Sequence, residues 1–468
     1  MLRICSKCMI ALAQSLAFLR LHFIDPSTLF FSRQDNFLYR EEKGPRHQEK
    51  FLYSRAMQHL IEARQRLAGM KESVQQREAI IYERVRGRPD ALEPVFRDLL
   101  RPADVLINPE NPRPWDIDVH NKQFYERVVR RGLAGVADGY VLAEWDTQQL
   151  DELAFRVYDS GIDQRLTGDR LLKLRLAGHH LRSRFDRDKS FEVGKKHYDL
   201  PPLLWDKMLG DGWVYSGGYW KEATTLEEAQ KAKMERLAQK LALEPGMRVL
   251  DVGGGAGALA AYLAREYGVS VVNIGISEEQ IAEANRICAG LAVQNRLQDY
   301  KTLADEPYDR IVSVGMLEHV GEDPKEYKNF MAIMAKHLKP HGLLVLQTIA
   351  TQDKTETTSS EWIAEHIFPH SRIPRIIEIT EAVGNDLILE HAENLGAHYD
   401  KTLMAWHQNF TNAWGELQHL FEPNPEEFRR KWELYLLGSA GKFRARKLQL
   451  LQLVFSKEGL PGGYDFLG

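Results

Sequence analysis

Cysteine is scarce in this 468-residue chain, which holds only Cys5, Cys8 and Cys288. Three thiols exclude a disulfide framework and suit a reducing compartment. Cys5 and Cys8 have the spacing of metal ligands, but no second Cys or His pair follows nearby, so no metal site is expected. No apolar run reaches the roughly 20 residues that span a bilayer. Glycine (34) and proline (19) are near average, which excludes collagen-like and low-complexity chains. Internal repeats are absent, so a solenoid is excluded. Acidic residues are missing from the first 24 positions, where Arg3 and Lys7 precede the apolar stretch Met9–Leu19. That stretch reads as an N-terminal targeting segment or as a loosely docked extension; no small-x-small cleavage site follows it.

What is present is ordinary globular composition, 44% apolar and 27% charged, with a net charge of -4. The charge is unevenly spread. Residues 1–190 carry 32 Lys and Arg against 27 Asp and Glu, so this half is the one suited to an anionic surface. Its most basic stretch runs from Lys173 to Lys196 and includes Arg175, Arg182, Arg184, Arg187, Lys189 and Lys195. Leu171, Leu172, Leu174 and Leu176 lie beside these charges. Residues 1–45 read as an extension. Apolar residues at three- and four-residue steps make 46–88 helical, and a Pro-rich linker (108–115) closes a 46–115 segment. Residues 116–190 read as a small docking domain of short strands and helices, and 191–468 as the main domain.

From about residue 240, β-branched runs alternate with helical segments, the pattern of a parallel α/β sheet. Strands are expected at 248–252, 270–274, 309–314 and 343–346. Helices are expected near 227–242, 257–267, 278–290 and 323–338. After about 352 the chain reads as helical and aromatic-rich, ending in amphipathic helices over 425–455.

One turn in this pattern carries chemistry. Asp251-Val-Gly-Gly-Gly-Ala-Gly257 follows the first strand and opens a helix. Gly253, Gly255 and Gly257 permit a sharp turn and close backbone approach to a ligand, and the helix start offers free N–H donors. A dinucleotide site would want an acid at the end of the next strand to hold the ribose diol. That strand ends Asn273-Ile-Gly-Ile-Ser277 instead, with Glu278, Glu279 and Gln280 on the following helix. The arrangement suits a nucleoside without a pyrophosphate, so S-adenosylmethionine is preferred over NAD. Asp299, after a third strand, stands where an adenine amino group could be read.

Several ordered segments resemble the cyclopropane-fatty-acid synthase family of S-adenosylmethionine-dependent methyltransferases. They are Gly194–Leu200, Val214-Tyr-Ser-Gly-Gly-Tyr-Trp220, Pro245–Gly253, Leu297–Tyr300, Arg310–Gly321, Ile367–Pro369, Gly396–Trp406 and Phe443–Arg446. A weaker likeness reaches back to about residue 116. The resemblance implies a Rossmann-like methyltransferase domain with a mostly parallel seven-stranded sheet, preceded by a smaller, mainly helical N-terminal domain. It also implies methyl transfer to a cis double bond of a phospholipid acyl chain, then proton loss and ring closure.

The resemblance assigns cofactor contacts to Tyr215, Ser216, Gly253, Gly255, Gly257, Ser277, Gln280, Gln298 and Asp299. It assigns the proton acceptor, a bound bicarbonate, to Glu318, Tyr399 and the backbone of Gly217 and Ile349. This chain departs from the family at Gln347, where a His is usual, and at Gly217 and Ser439, where Cys is usual. Gln347 can donate a hydrogen bond but cannot carry a proton charge. Tyr219, Trp220, Phe368, Trp406 and Phe410 are expected to line an apolar slot whose π faces suit a cation. The alternatives are a methyl- or methylene-branched lipid product, a small-molecule amine as acceptor, and a lipid-binding protein with a decayed site. The partners implied are a phospholipid bilayer surface and unsaturated acyl chains, with no nucleic acid; a homodimer is compatible. The place implied is the cytoplasmic face of a membrane, held peripherally.

Overall fold

In the computed structural model, residues 92–162, 200–321, 323–352, 361–369 and 371–466 are described. The expected extension 1–45, the helix at 46–88, the Cys5–Cys8 pair and the basic stretch 173–196 lie outside the described residues.

Before the main sheet come α1 (Glu93–Leu100), β1 (Asp118–Val119), α2 (Gln123–Arg131), α3 (Leu133–Val141), β2 (Trp145–Asp146) and α4 (Leu150–Asp159). The two short strands pair antiparallel, Val119 opposite Trp145. Phe96, Phe124, Tyr125, Tyr140 and Trp145 form a buried aromatic core among these helices. Within the Pro-rich stretch, Arg113 donates to Asp104 Oδ1 (2.8 Å) and Asp116 Oδ1 (2.8 Å), and Asn108 N–H donates to the Ile117 carbonyl (2.8 Å).

The main domain follows: α5 (Pro202–Leu209), α6 (Leu226–Leu241), β3 (Arg248–Val252), α7 (Ala258–Tyr267), β4 (Ser270–Gly275), α8 (Glu278–Ile287), β5 (Val293–Leu297), β6 (Tyr308–Val314), α9 (Pro324–Lys336) and β7 (Leu338–Ala350). The chain then forms α10 (Glu361–His366), α11 (Ile376–Ala382), β8 (Leu387–Asn394), α12 (Gly396–Leu417), α13 (Pro425–Arg444) and β9 (Gln449–Lys457). The seven strands lie in the order β5-β4-β3-β6-β7-β9-β8. The first five are parallel; β9 is antiparallel to both β7 and β8. The mostly parallel seven-stranded sheet is therefore present.

Local chemistry explains these elements. β3 and β4 are short, apolar and buried on both faces, which is why their sequences run Val-Leu and Val-Val rather than alternating. Thr225 and Glu228 form a reciprocal cap that starts α6. Asp323 caps α9 by accepting from Lys325 N–H at 2.9 Å.

The C-terminal expectation needs correction. The helix α13 stops at Arg444, and 449–457 is a strand, as is 387–394. Residues Gln449–Ser456 are all buried, so their apolar positions show no two-residue rhythm to mark a strand. Pairing on both sides by β7 and β8 decides the conformation.

Candidate active site

Strand order reverses at β3 and β6, which leaves a crevice beyond their carboxyl ends. A cavity of about 850 Å³ opens there. Its wall takes in the turn after β3, the loops after β4, β5 and β6, the end of β7, and parts of α12 and α13.

The Gly-rich turn forms one side. Gly255 has φ +57°, and nothing stands within 4 Å of where its Cβ would be. That open space is the cradle a ligand would fill and a side chain would block. At Gly254 a Cβ would stand 2.3 Å from Asn273 Oδ1 and 2.5 Å from Asp251 Oδ2, so only glycine fits. Gly253 also lines the cavity. Gly257 does not: its Cβ position lies 3.0 Å from Ala284 Cβ and 3.1 Å from Cys288 Sγ. It packs the turn on α8, a structural role rather than the ligand contact expected of it.

Ser277 caps α8, accepting from Gln280 N–H at 3.3 Å, and both residues line the cavity. Asp299 accepts from Lys301 N–H at 2.9 Å, and Gln298 stands beside it on the wall. Tyr215 and Ser216 line the opposite side, with Tyr215 O–H donating to Tyr435 Oη at 2.8 Å.

Two charged residues here had no assigned role. Asp251 is completely buried, and neither carboxyl oxygen has a partner among the described residues. Lys233, also buried, donates to Ser216 Oγ at 2.8 Å. Burial pushes the Asp251 carboxyl up and the Lys233 ammonium down; each opposes the other's shift. The available signal was helical. Leu226, Ala229, Lys233, Leu237 and Lys240 are all buried residues of α6 at three- and four-residue steps, so both lysines interrupt its apolar stripe.

Glu318 sits in a short turn, Leu317–His319, beyond β6. Its Oε1 accepts from Ile349 N–H at 2.5 Å, while its buried Oε2 has no partner among the described residues. Burial pushes its pKa up to about 7. Tyr399 on α12 is buried beside it, and burial holds its phenol well above the ordinary value, so it remains an O–H donor. Gln347 on β7 donates to the Gly217 carbonyl at 3.4 Å. Thus Glu318, Tyr399, Gln347 and Ile349 share one wall, but the Ile349 N–H is already spent on Glu318. Gly217 stands behind: a Cβ there would lie 3.0 Å from Tyr399 Cγ and 2.7 Å from Leu450 Cδ2.

The expected aromatic slot is mostly corrected. Phe368 lines the cavity, next to His319 and Tyr435 at ring distances of 5.9 and 5.6 Å. Burial lowers His319 to about 4, which leaves it neutral near pH 7. Tyr219, Trp220, Trp406 and Phe410 stand off the wall. Tyr219 stacks on His398 at 4.9 Å, under the Arg236 guanidinium. Trp220 donates to Thr402 Oγ1 at 2.9 Å. Trp406 packs behind Tyr215 and Tyr399, and Phe410 against Trp414. Trp406 and Phe410 fill the core because their face of α12 packs toward α5 and α13 rather than the cavity. Tyr435 and Met316 are on the wall instead, and Tyr158 and Lys442 also reach it.

An open glycine cradle at a strand–helix turn, Ser277 in place of an acid after β4, and an unpartnered buried Asp251 fit S-adenosylmethionine. Fold and site together define a Rossmann-like methyltransferase dependent on that cofactor. Comparison with known proteins narrows the class. The family model described as mycolic acid cyclopropane synthetase matches residues 185–453. The cyclopropane-fatty-acyl-phospholipid synthase of Escherichia coli (strain K12) is 41% identical over 369 residues, 79% of this chain and 94% of that protein. Cyclopropane synthase MmaA2 from Mycobacterium tuberculosis superposes with a TM-score of 0.52 at 30% identity, covering 57% of this chain and 98% of that one. Mycolic acid cyclopropane synthase CmaA1, solved with S-adenosylhomocysteine and CTAB, gives 0.51 at 29% identity over 57% and 98%. The chain belongs to the mycolic acid cyclopropane synthetase family.

Proposed function

We propose that this enzyme adds a methyl group to a cis double bond of a phospholipid acyl chain and closes a cyclopropane ring. The observation that carries the reading is Glu318: a buried carboxylate with one unused oxygen, on the wall of the cavity that also holds the glycine cradle. S-adenosylmethionine, when bound, supplies an electrophilic methyl that takes the alkene's π pair as its bond to sulfur breaks.

The chain's own residues then have three tasks. The apolar wall around Phe368, Leu403 and Tyr435 holds two alkene carbons near the cradle and excludes water, which would trap a carbocation as an alcohol. The π faces of Tyr215 and Phe368 favour the positive charge left on the acyl chain. Glu318 and Tyr399 hold the base that removes a proton from the new methyl, whose C–H pair closes the ring. Bicarbonate fits this place: Glu318 Oε2 can accept its O–H and Tyr399 can donate to its charged oxygen, and when bound it supplies that base. Gln347 offers a further neutral donor in place of an imidazole.

The test is expression in a bacterium lacking such an enzyme, followed by mass spectrometry and NMR of its lipids. Acyl chains one methylene heavier, with olefin signals lost and ring protons gained, are expected. A saturated or methylene branch without ring protons would instead establish methyl transfer with another fate of the cation. Unchanged lipids would overturn the reading.

A further inference from the structure

Three polar side chains stand in one row across the antiparallel edge of the sheet. Glu393 on β8 is opposite Gln452 on β9, and Gln452 is opposite Gln347 on β7. Lys240 of α6 covers the row. Its Nζ donates to Gln452 Oε1 at 2.6 Å and to Glu393 Oε2 at 2.7 Å. Gln452 Nε2 donates to Gln347 Oε1 at 2.8 Å, and Gln347, which lines the cavity, turns its Nε2 to the Gly217 carbonyl behind the wall at 3.4 Å. Lys240, Gln452 and Gln347 are completely buried, so water cannot substitute for any of these partners.

A glutamine amide can turn end for end, and its shape does not choose between the two senses. An ammonium group chooses, because it has donors and no acceptor. Lys240 therefore requires the oxygen of Gln452. The Gln452 N–H then requires the oxygen of Gln347, and the Gln347 NH2 is left directed at Gly217 and the cavity. The Gly217 carbonyl takes one N–H of that NH2 at most, and because Gln347 lines the cavity, the second is the one an anion held there would meet.

We propose that Lys240 is a positioning residue: by setting the sense of the Gln452–Gln347 amide pair, it presents a Gln347 N–H to the oxygen anion that accepts the proton. The inference rests on the base site proposed above. It also accounts for a buried lysine beyond the cavity wall, and for a neutral amide serving where the family has an imidazole.

The groups facing the Lys240 ammonium are Glu393 and His391 from β8, Arg236 from its own helix, and the Phe466 ring at 5.2 Å. Tyr464 O–H donates to the Lys240 carbonyl at 2.9 Å. Burial lowers the ammonium to about 8, against the pull of Glu393. Burial also pushes Glu393 up, but Arg236 and Lys240 outweigh it and hold the carboxyl at about 2. Once Lys240 loses its proton, the neutral amine can accept as well as donate, and the sense of the amide pair is held only by the 3.4 Å contact of Gln347 Nε2 with the Gly217 carbonyl.

The test uses the full chain with S-adenosylhomocysteine bound, titrated with 13C-bicarbonate and read by NMR. Gln452→Glu is the informative variant. A carboxylate at 452 pairs with Lys240 and leaves Glu393 to Arg236, so two cations face two anions, but it draws the Gln347 NH2 away from the cavity. Bicarbonate binding should weaken ~10-fold or more while S-adenosylhomocysteine affinity stays unchanged. Lys240→Met should weaken it similarly and remove the loss of binding expected of wild type above about pH 8. Wild-type bicarbonate affinity in Gln452→Glu would overturn the proposal. If wild type binds no bicarbonate, the base-site reading fails separately. The relay is then judged on the alkaline limb of the ring-forming rate, which Lys240→Met must abolish; coincident limbs would overturn it.

Discussion

Glu318 shows how burial and chemistry are coupled at a single residue. Its pKa rises from 4.5 to about 7 because the carboxylate is cut off from water, and the Ile349 N–H only partly offsets this. A raised folded-state value means that the associated stability is fully present below pH 4.5 and is lost as pH rises through about 7. Glu318→Gln should therefore match wild type in stability near pH 4 and exceed it above pH 7, by up to ~3 kcal/mol in urea titrations. The same variant should lose most ring formation while S-adenosylhomocysteine still binds. Full cyclopropanation in Glu318→Gln would remove this residue from the base site. At Gly255 the expectation is opposite in kind. A valine would take a strained φ and fill the open cradle, so Gly255→Val should weaken cofactor binding by ~10-fold or more in calorimetry. Undiminished affinity would mean that the cofactor lies elsewhere.

Among elements, α13 carries the contact between the N-terminal helices and the sheet domain. Arg430 donates to the Tyr140 and Trp145 carbonyls at 2.6 and 3.0 Å and pairs with Asp146 at 2.7 Å. Arg444 pairs with Asp151 of α4 and Asp400 of α12. Between them, Gly441 lets α13 approach α4 closely: a Cβ would lie 2.6 Å from the Asp151 carbonyl oxygen and the Phe155 nitrogen. Gly441→Ala must push two helix backbones apart, at a cost of roughly 1–3 kcal/mol in chemical denaturation. Gly415 of α12 has open space around its Cβ position, so Gly415→Ala should be neutral or stabilise by up to ~1 kcal/mol. Equal effects at the two positions would contradict this packing. Since Tyr158 of α4 reaches the cavity wall, Gly441→Ala should also disturb substrate use more than cofactor affinity.

At the scale of the molecule, an enzyme acting on an acyl chain must meet a bilayer. No helix among the described residues is long and apolar enough to cross a membrane. We propose peripheral attachment at the cytoplasmic face through the basic stretch Arg175–Lys196. Each basic residue near an anionic surface contributes roughly 1 kcal/mol, screened by salt. Co-sedimentation with anionic vesicles should fall steeply as salt rises. Equal, salt-insensitive binding to neutral vesicles would remove the electrostatic part of this proposal.

Much of the parallel half of the fold was legible in the chain. β3, β4 and β6, the Gly-rich turn and the capped helices α6 and α9 follow from buried β-branched runs, positive-φ glycines and side-chain caps, which act within a few residues. Glu318 and Tyr399 are assigned by the family resemblance and Ser277 by a strand end that lacks an acid, and the structure brings all three to one cavity. Tertiary structure alone decided the rest. Whether 449–457 became strand or helix depended on β7 and β8 pairing with it from both sides, because a strand buried on both faces carries no two-residue period. Phe368 reached the cavity while Trp406 and Phe410 filled the core, because a helical stripe marks a buried face without naming its neighbour. The Lys240–Gln452–Gln347 row unites residues from one helix and two strands, and its donor sense exists only once burial removes water as an alternative partner.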